Sequence, residues 1–487
     1  MTYGVHALMA EWELVVGLEV HVQLKTHTKC FCPCSTEFGA TPNVNTCPVC
    51  LALPGALPVL NAHAVTLATR ASLALGCTVH ETSVFARKNY FYPDSPKGYQ
   101  ISQFDRPLAT DGALRIGTQR DGTPRCIGIT RLHMEEDAGK SIHDRFPGVT
   151  AIDLNRSGTP LVEIVSEPDM RSAGEAGAYL RLLKQILEYV DVSDVSMEEG
   201  SLRVDANVSA RRRGDPELGT KTEVKNMNSF SGVERAIDVE FARQVGVLSA
   251  GGTIAQQTLL WDANKSEVRP SRAKEGSHDY RYFPEPDLPP LVLTSSWIAE
   301  QREALPELPA ARRARFVAEY ALGEYDADVL ISTSALADYF EAAARAHGSS
   351  KAAANWVMGE VLAHLKSNGA EISAFPVSGT ELARLLDLVR DGVISHTAGK
   401  RVLEIMIAGG GAPADIAERE GLIKVDNDAQ LAAWLDEVIA ELPGESERYR
   451  SGEKRLQGVL IGAVMKKSKG RADPRRLNQL LATRLAS

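Results

Sequence analysis

Alternation of apolar and polar residues is clearest between Val15 and Lys25 (VVGLEVHVQLK). From Val16 onward every second residue is apolar, and polar residues or glycine stand between them. Because successive side chains of a strand point to opposite faces, the pattern predicts a half-buried strand with Glu19 and His21 on its polar face. Side chains two positions apart can share one metal ion or one substrate. A solvated outer face of an antiparallel sheet explains the same pattern in a single strand.

The alternation recurs in residues 131–137 (RLHMEED), 202–209 (LRVDANVS) and 221–225 (KTEVK). Their polar positions concentrate carboxylates, imidazoles and cations, whereas ordinary solvent faces carry a looser mixture with Thr, Ser and Gln. The residues on these polar faces are His133, Glu135, Asp137, Arg203, Asp205, Asn207, Ser209, Lys221, Glu223 and Lys225. The recurrence favours a large sheet whose charged concave face holds phosphates and a divalent ion.

Glu163 interrupts the apolar run at residues 161–165 (LVEIV). A buried carboxylate without a partner costs several kcal/mol or becomes protonated. This residue therefore requires a metal, a cation or hydrogen bonds. A salt bridge to Arg156 or Arg171 meets the requirement as well as a metal does.

Two segments combine aromatic and basic residues: residues 87–104, which contain Lys88 and Lys97, and residues 278–286 (HDYRYFPEP). The lysine ammonium is a point charge suited to phosphate, and tyrosine rings can stack on a base. A surface hairpin with packed aromatic side chains is the alternative.

Composition divides the chain at the proline-dense stretch 284–291, since Ala, Leu, Glu and Arg in helical spacing dominate the residues after it. The run Gly409–Pro413 (GGGAP) is typical of a linker. We therefore predict an α+β protein. A large, mostly antiparallel cradle domain (1–294) precedes an all-α domain (295–410) and a small helical tail domain (411–487).

Five of the seven cysteines lie between Cys30 and Cys50. Cys32 and Cys34 form C-x-C, Cys47 and Cys50 form C-x-x-C, and twelve residues separate the pairs. In a reducing compartment this spacing favours a closed, structural zinc site over disulfides, with unrelated free thiols as the alternative. Cys30 alternates with Cys32 and Cys34, so spacing does not settle which pair would ligate.

The chain has a net charge of −9, which excludes a uniformly basic coat for nucleic acid. Residues 448–487, however, contain eleven lysines and arginines against two acidic residues. Such a local excess suits a nucleic-acid backbone, although a solvated helix end is the alternative. Neither a signal peptide nor an apolar stretch of about 18 residues is present in the sequence, so we expect a cytoplasmic protein without membrane contact.

Familiar ATP-binding motifs are absent from the sequence. Ala138–Ser141 (AGKS) imitates the end of a phosphate-binding loop, but Met134 stands where the leading glycine is required. No Ser-rich glycine loop or Cys/His pairing indicates glutaminase chemistry either. A nucleotide site in this chain must therefore be built on a different scaffold.

The chain resembles the B subunit of the glutamyl/aspartyl-tRNA amidotransferase. The similarity runs in order along the predicted cradle domain and continues more weakly to the C-terminus. It is carried by VGLEVHVQL, by the cysteine pairs followed by LPGALPVLN, and by KNYFYPDSPKGYQISQFD, HMEEDAGKS, DLNRSGTPLVEIVSEPDMRS, SMEEGSLRVDANVS and HDYRYFPEPDLPP.

The resemblance implies a ligase component that phosphorylates the side-chain carboxylate of Glu-tRNA(Gln), Asp-tRNA(Asn) or both, using ATP and Mg2+. Ammonia then displaces the phosphate. Members of that family work in a heterotrimer, in which the amidase, or A subunit, makes the ammonia from glutamine. The small C subunit holds the other two together.

The resemblance also assigns residues by position. It implies a catalytic Mg2+ site at Glu19, His21, Glu135 and Glu163. It implies catalytic and ATP-binding roles at the phosphate site for Lys88 and Lys97, with Tyr90 as a further ATP-binding residue. The zinc cysteines are Cys32, Cys34, Cys47 and Cys50. The basic residues expected to contact tRNA are Lys466, Lys467, Lys469, Arg471, Arg475 and Arg476.

Two alternatives belong to other classes. A non-catalytic, zinc-containing tRNA-binding scaffold would use the polar strand faces only to contact RNA. An autonomous metal-dependent phosphohydrolase would hydrolyse ATP or a phosphoester without charged tRNA.

Overall fold

A computed structural model describes residues 11–119, 121–142, 145–271, 280–425, 427–468 and 470–485. The chain divides into two compact units, one up to Leu308 and one from Pro309 onward. The first combines a large sheet with helices, and the regular elements described in the second are all helical. The predicted α+β class is therefore confirmed, whereas the three-domain division at residues 294 and 410 stays a prediction.

The first unit contains the strands of the protein. They are β1 (Trp12–Gln23), β2 (Thr78–Val79), β3 (Thr82–Ser83), β4 (Phe85–Asn89), β5 (Tyr99–Gln103), β6 (Ala109–Thr118), β7 (Pro124–Glu136), β8 (Lys140–Ile142), β9 (Ala151–Asp153), β10 (Pro160–Ser166), β11 (Leu202–Arg212), β12 (Thr222–Lys225), β13 (Thr258–Asp262), β14 (Glu267–Pro270), β15 (Phe283–Pro284) and β16 (Leu291–Val292).

Nine strands form one sheet in the order β14-β13-β12-β11-β1-β10-β7-β6-β2. Neighbours are antiparallel except for the parallel pair β12–β13, as expected for the cradle. Three small sheets accompany it: β15-β4-β5, β16-β3 and β8-β9. The long strand β1 lies between β10 and β11, so the polar positions of three strands meet at the middle of the large sheet.

Helices pack against the apolar face of the sheet. The helices of the first unit are α1 (Ala62–Ala74), α2 (Ala173–Tyr189), α3 (Phe230–Ser249) and α4 (Ser295–Glu303). Helix α2 contacts α3 and β6, and α3 contacts β11. The side chains of Ser172 and Ser229 cap α2 and α3 by accepting hydrogen bonds from backbone N–H groups of their first turns. The fully buried Leu18, Val20 and Val22 of β1 belong to this core, which leaves Glu19 and His21 on the opposite face.

The second unit is a set of helices around two hydrophobic clusters. These helices are α5 (Pro309–Glu319), α6 (Glu324–Leu330), α7 (Ser334–His347), α8 (Ser350–Trp356), α9 (Leu362–Asn368), α10 (Gly379–Arg390), α11 (His396–Gly409), α12 (Pro413–Arg419), α13 (Asp428–Glu441), α14 (Pro443–Arg450), α15 (Gln457–Lys467) and α16 (Pro474–Arg484). One cluster extends from Phe316 to Ala417 and the other from Leu431 to Leu485. Within the described residues, every helix is too short or too polar to cross a bilayer.

A buried ionic cluster joins α5 to α7. The carboxylate of Glu341 accepts hydrogen bonds from Arg312 and Arg315, at 2.6 Å each, and from the hydroxyl of Tyr320 at 2.9 Å. Burial alone would raise the pKa of Glu341, but these donors outweigh it and lower the pKa to about 2. The charged form of this carboxylate therefore stabilises the folded unit.

We expect Glu341→Gln to lower the free energy of unfolding of the second unit by about 3 kcal/mol at pH 7, because it removes the buried carboxylate that Arg312 and Arg315 share. A carboxylate with a depressed pKa contributes stability that is present above its unfolded pKa of about 4.3 and is lost as pH falls toward 2. The difference from the parent should therefore shrink across that window.

Thermal unfolding followed by circular dichroism at pH 7 and at lower pH measures the effect. Glu404→Gln is the matched control, because Glu404 forms an exposed ion pair with Arg401. Equal losses of stability in the two variants would contradict this role for Glu341.

Candidate active site

The register of the central strands brings polar side chains into one row across the sheet. His21 of β1 pairs with Arg203 of β11 on one side and with Glu163 of β10 on the other, and Glu163 pairs with His133 of β7. Directly opposite residues on neighbouring strands have side chains on the same face, within contact distance. The row therefore follows from the register of four neighbouring strands, β11, β1, β10 and β7.

Glu135, two residues beyond His133 on β7, completes a compact cluster of carboxylates and imidazoles. His21 Nε2 lies 3.3 Å from Glu163 Oε2 and 3.6 Å from Glu135 Oε1. His133 Nε2 lies 3.5 Å from Glu163 Oε2 and 3.8 Å from Glu135 Oε2. One ligand atom from each of His21, Glu135 and Glu163 can be chosen so that all three lie within 4.8 Å of one another. Both carboxylates are buried.

Charge within this cluster shifts the titration of its members. Burial disfavours the imidazolium of His21, but the hydrogen bond to Glu163 and the charge of Glu135 outweigh it and raise the pKa of His21. Burial likewise opposes the carboxylate of Glu163, yet His133 and His21 hold its pKa below the usual range. The pKa of Glu135 is also lowered, against burial, by the neighbouring imidazole of His133 and by the charge of His21. The cluster thus keeps two carboxylates ionised and attracts positive charge.

A cavity of about 450 Å³ opens beside the cluster, with His21 and Glu135 in its wall. Its size is typical of a small-molecule site. Four basic side chains also line it: Lys88, Lys97, Arg203 and Lys225. Most of this positive charge faces carboxylates of neighbouring elements, since Lys97 pairs with Glu136, Lys225 with Asp205, and Arg203 with Asp137 at 2.9 Å. The cavity is therefore rich in both signs of charge and suits a ligand that carries phosphates and a cation.

Most of the residues assigned by sequence to the Mg2+ and ATP sites meet in this region. His21, Glu135 and Glu163 form the compact set, while Lys88, Tyr90 and Lys97 line the cavity. Glu19 lies on the same face as His21 but outside the compact set, and its carboxylate accepts a hydrogen bond of 2.9 Å from the Asn207 amide. Arg156 and Arg171, considered as partners of Glu163, instead pair with Asp137 and Glu13.

Sequence analysis placed four further residues of the site on polar strand faces but assigned none of them an individual role. His133 contacts both buried carboxylates, and Arg203, Asp205 and Lys225 line the cavity. All four occupy polar positions of alternating strands, which was a usable signal. Only the strand order and register, however, show that these positions converge with His21 and Glu163.

The four cysteines assigned to zinc form a second cluster. Cys50 Sγ lies 3.5 Å from Cys32 Sγ, 3.7 Å from Cys47 Sγ and 3.8 Å from Cys34 Sγ. Cys30 is fully buried in the hydrophobic core and lies outside this group of four. The four thiols are therefore close enough to bind a single metal ion.

A buried lysine adjoins the cysteine cluster. Lys29 Nζ donates to Cys50 Sγ at 3.3 Å and to the carbonyl oxygens of Asn45 and Leu154, at 2.7 and 3.2 Å. The hydrogen bond from Cys32, together with the charge of Lys29, lowers the pKa of Cys50 to about 4, although burial opposes this. At least one thiolate is thus favoured at neutral pH, as a metal site requires.

The basic residues of the C-terminal segment are partly neutralised by helix α13. Lys467 lies 2.6 Å from both Glu437 and Glu441, and Arg476 forms two hydrogen bonds with Asp428. The guanidinium of Arg471 lies 5.4 Å from the ring centre of Trp434.

Lys466 and Arg475 are exposed, and Lys469 lies outside the described residues. Exposed ion pairs of this kind are weak, so phosphates can replace the acidic partners. Contact of this segment with tRNA stays a prediction.

Comparison with known proteins identifies the family of the chain. Residues 14–299 match the family described as the GatB/GatE catalytic domain, and residues 338–485 match the GatB domain family. Three relatives carry the name of the aspartyl/glutamyl-tRNA(Asn/Gln) amidotransferase B subunit. The protein of Carboxydothermus hydrogenoformans is 51% identical over 98% of this chain and 100% of its own length. Those of Trichlorobacter lovleyi and Prosthecochloris aestuarii are each 53% identical over 97% of this chain and over 99% and 98% of their own lengths. The chain therefore belongs to the B-subunit family of the aspartyl/glutamyl-tRNA(Asn/Gln) amidotransferases.

Proposed function

We propose that this chain activates the side-chain carboxylate of Glu-tRNA(Gln) or Asp-tRNA(Asn) with ATP and then directs ammonia to the activated carbon. The observation that carries the proposal is the compact set of His21 with the buried Glu135 and Glu163, in and beside the wall of a cavity lined by basic residues. Membership of the B-subunit family supports the reaction class. A partner amidase would supply the ammonia, and a small third protein would hold the heterotrimer together.

The donor set at the centre of the sheet fits a divalent cation. Two ionised carboxylates supply the oxygen ligands that Mg2+ prefers, and an imidazole is tolerated by several divalent metals. The raised pKa of His21 shows that the site already favours positive charge. A bound Mg2+ would neutralise the phosphate oxygens of ATP.

The chain's own basic residues would handle the remaining phosphate charge. Lys88, Lys97 and Arg203 line the cavity, and Glu135 and Glu163 raise the pKa of Lys88 although burial opposes its charge. Lys88 would therefore be protonated when it meets a phosphate. Ion pairs such as Lys97 with Glu136 and Arg203 with Asp137 would hold these cations in position before ATP arrives.

The proposed reaction proceeds in two displacement steps, each of which forms one bond and breaks another. An oxygen of the side-chain carboxylate attacks the terminal phosphorus of ATP, which releases ADP and leaves an acyl phosphate. Ammonia then attacks the acyl carbon, loses a proton and expels inorganic phosphate, so that the amide remains on the tRNA. Because an acyl phosphate hydrolyses readily, a cavity enclosed by protein would protect it from water until ammonia arrives.

Zinc at Cys32, Cys34, Cys47 and Cys50 would be structural. Four sulfurs held about 2.3 Å from one tetrahedral ion lie about 3.8 Å apart, close to the 3.5 to 3.8 Å separations from Cys50. A site with four protein ligands has no open position for substrate. The zinc would therefore hold this loop in place without taking part in the reaction.

We expect Glu135→Gln to reduce ATP-dependent amide formation on charged tRNA by about a hundredfold or more, because it removes a carboxylate that would hold the cation. The partner's glutaminase step should continue. Binding of Mn2+, followed by electron paramagnetic resonance, should weaken in parallel. Both assays use the co-expressed heterotrimer.

Glu267→Gln is the matched control, since Glu267 lies exposed on the edge strand β14 and pairs with Arg269. Retained transamidation in Glu135→Gln would refute the site and would favour a non-catalytic scaffold. Hydrolysis of ATP by the chain alone, at the full rate and without charged tRNA, would favour a phosphohydrolase instead.

The purified chain should contain about one zinc ion, and Cys47→Ser should lose it and unfold at a lower temperature, because a structural ion contributes folding free energy. Elemental analysis and thermal unfolding measure the two effects. Cys126→Ser is the control, since Cys126 is an exposed thiol outside the cluster. A metal-free chain with the same unfolding temperature as Cys47→Ser would show that the four thiols have no metal.

A further inference from the structure

An aromatic pair stands partly in solvent near the candidate active site. The rings of Phe104 and Tyr282 are stacked, with centroids 4.2 Å apart and planes inclined by 8°. Phe104 is 54% exposed to solvent. Exposing a large ring forfeits the gain from burying it, so burial in the core does not account for this arrangement.

One end of the pair adjoins the reacting groups. Tyr282 immediately precedes β15, where Phe283 pairs with Arg87 of β4, and this register places Tyr282 beside Lys88. Tyr280, on the same segment, lies edge-on to Tyr282, and its ring centre is 5.0 Å from Lys88 Nζ. Burial raises the pKa of the Tyr282 phenol, and the charges of Lys88, Glu163 and Glu135 also act on it. Tyr282 therefore lies between Lys88, which lines the cavity, and the exposed ring of Phe104.

We propose that Phe104 and Tyr282 form a stacking surface for the 3′-terminal adenine of the charged tRNA. This inference rests on the proposed function. The substrate amino acid is esterified to the terminal ribose, so the adenine lies one ribose and one amino-acid side chain away from the carboxylate that reacts. A flat aromatic surface beside Lys88, which lines the same cavity as Glu135, is suitably placed to hold that base while the carboxylate reaches the cluster.

ATP is assigned to the cavity, and the aromatic pair lies outside the cavity. The described residues that line the cavity include His21, Lys97, Arg203 and Lys225, but neither Phe104 nor Tyr282. The triphosphate would lie among these cations, and the aromatic pair is left for a base that enters from solvent. Stacking of this kind tolerates any base, so it would hold the end of the tRNA without reading its sequence.

Phe104→Ala in the heterotrimer tests the assignment. We expect KM for Glu-tRNA to rise about tenfold, within the range that one base–aromatic stack is worth, while KM for ATP and kcat stay unchanged. Phe104→Trp should keep the parent value because it keeps a flat ring. Phe104→Leu keeps apolar bulk without a flat ring, so it should behave as Phe104→Ala does and separates stacking from a folding defect.

Phe146→Ala is the matched control, because Phe146 is a phenylalanine with a similar exposure of 50%. The base itself is identified with uncharged tRNA that ends with or without the terminal adenosine. Loss of that nucleotide should weaken binding about tenfold in the parent and have little effect in Phe104→Ala.

Three results would overturn the inference. Phe104→Ala could leave KM for Glu-tRNA unchanged, or it could raise KM for ATP instead of KM for Glu-tRNA. Removal of the terminal adenosine could also weaken tRNA binding equally in the parent and in Phe104→Ala. Failure of the proposed function is distinguishable from all three, because either the parent heterotrimer would form no amide or Glu135→Gln would form it at the parent rate.

Discussion

Two carboxylates buried on the polar face of the central sheet, Glu135 and Glu163, impose the constraint on which the rest of the site depends. Charge at this depth is tolerated only when it is compensated, and His21 and His133 supply the compensation from neighbouring strands. The same requirement makes the cluster attract positive charge. Burial thus converts a costly pair of side chains into a specific binding position at the centre of the sheet.

Alternation in β1 was sufficient to predict the strand and the face of His21, because a period of two is a local property of the sequence. The cysteine spacing similarly predicted the four-thiol cluster, and the structure adds that Cys30 belongs to the core. The row of facing side chains that runs from Arg203 through His21 and Glu163 to His133 could not be predicted from the residues alone. It depends on β1 lying between β10 and β11 in one register, which is a long-range property of the folded chain.

Charge is organised by pairing in both units. In the cavity, Lys97, Lys225 and Arg203 already contact carboxylates, so a phosphate-bearing ligand would enter a site whose cations are held in place. In the C-terminal helices, Lys467 and Arg476 pair with acidic residues of α13, although the sequence suggested an uncompensated basic tail. The buried and the exposed pairs differ in consequence, because exposed pairs exchange partners at little cost.

Transfer of oxygen from the substrate to phosphate tests the central claim most directly. Glutamyl-tRNA labelled with oxygen-18 in its side-chain carboxylate is converted by the heterotrimer with ATP and glutamine, and the inorganic phosphate is analysed by mass spectrometry. If the carboxylate attacks the terminal phosphorus of ATP, one labelled oxygen appears in phosphate for each amide formed. Amide formation with unlabelled phosphate would contradict the account.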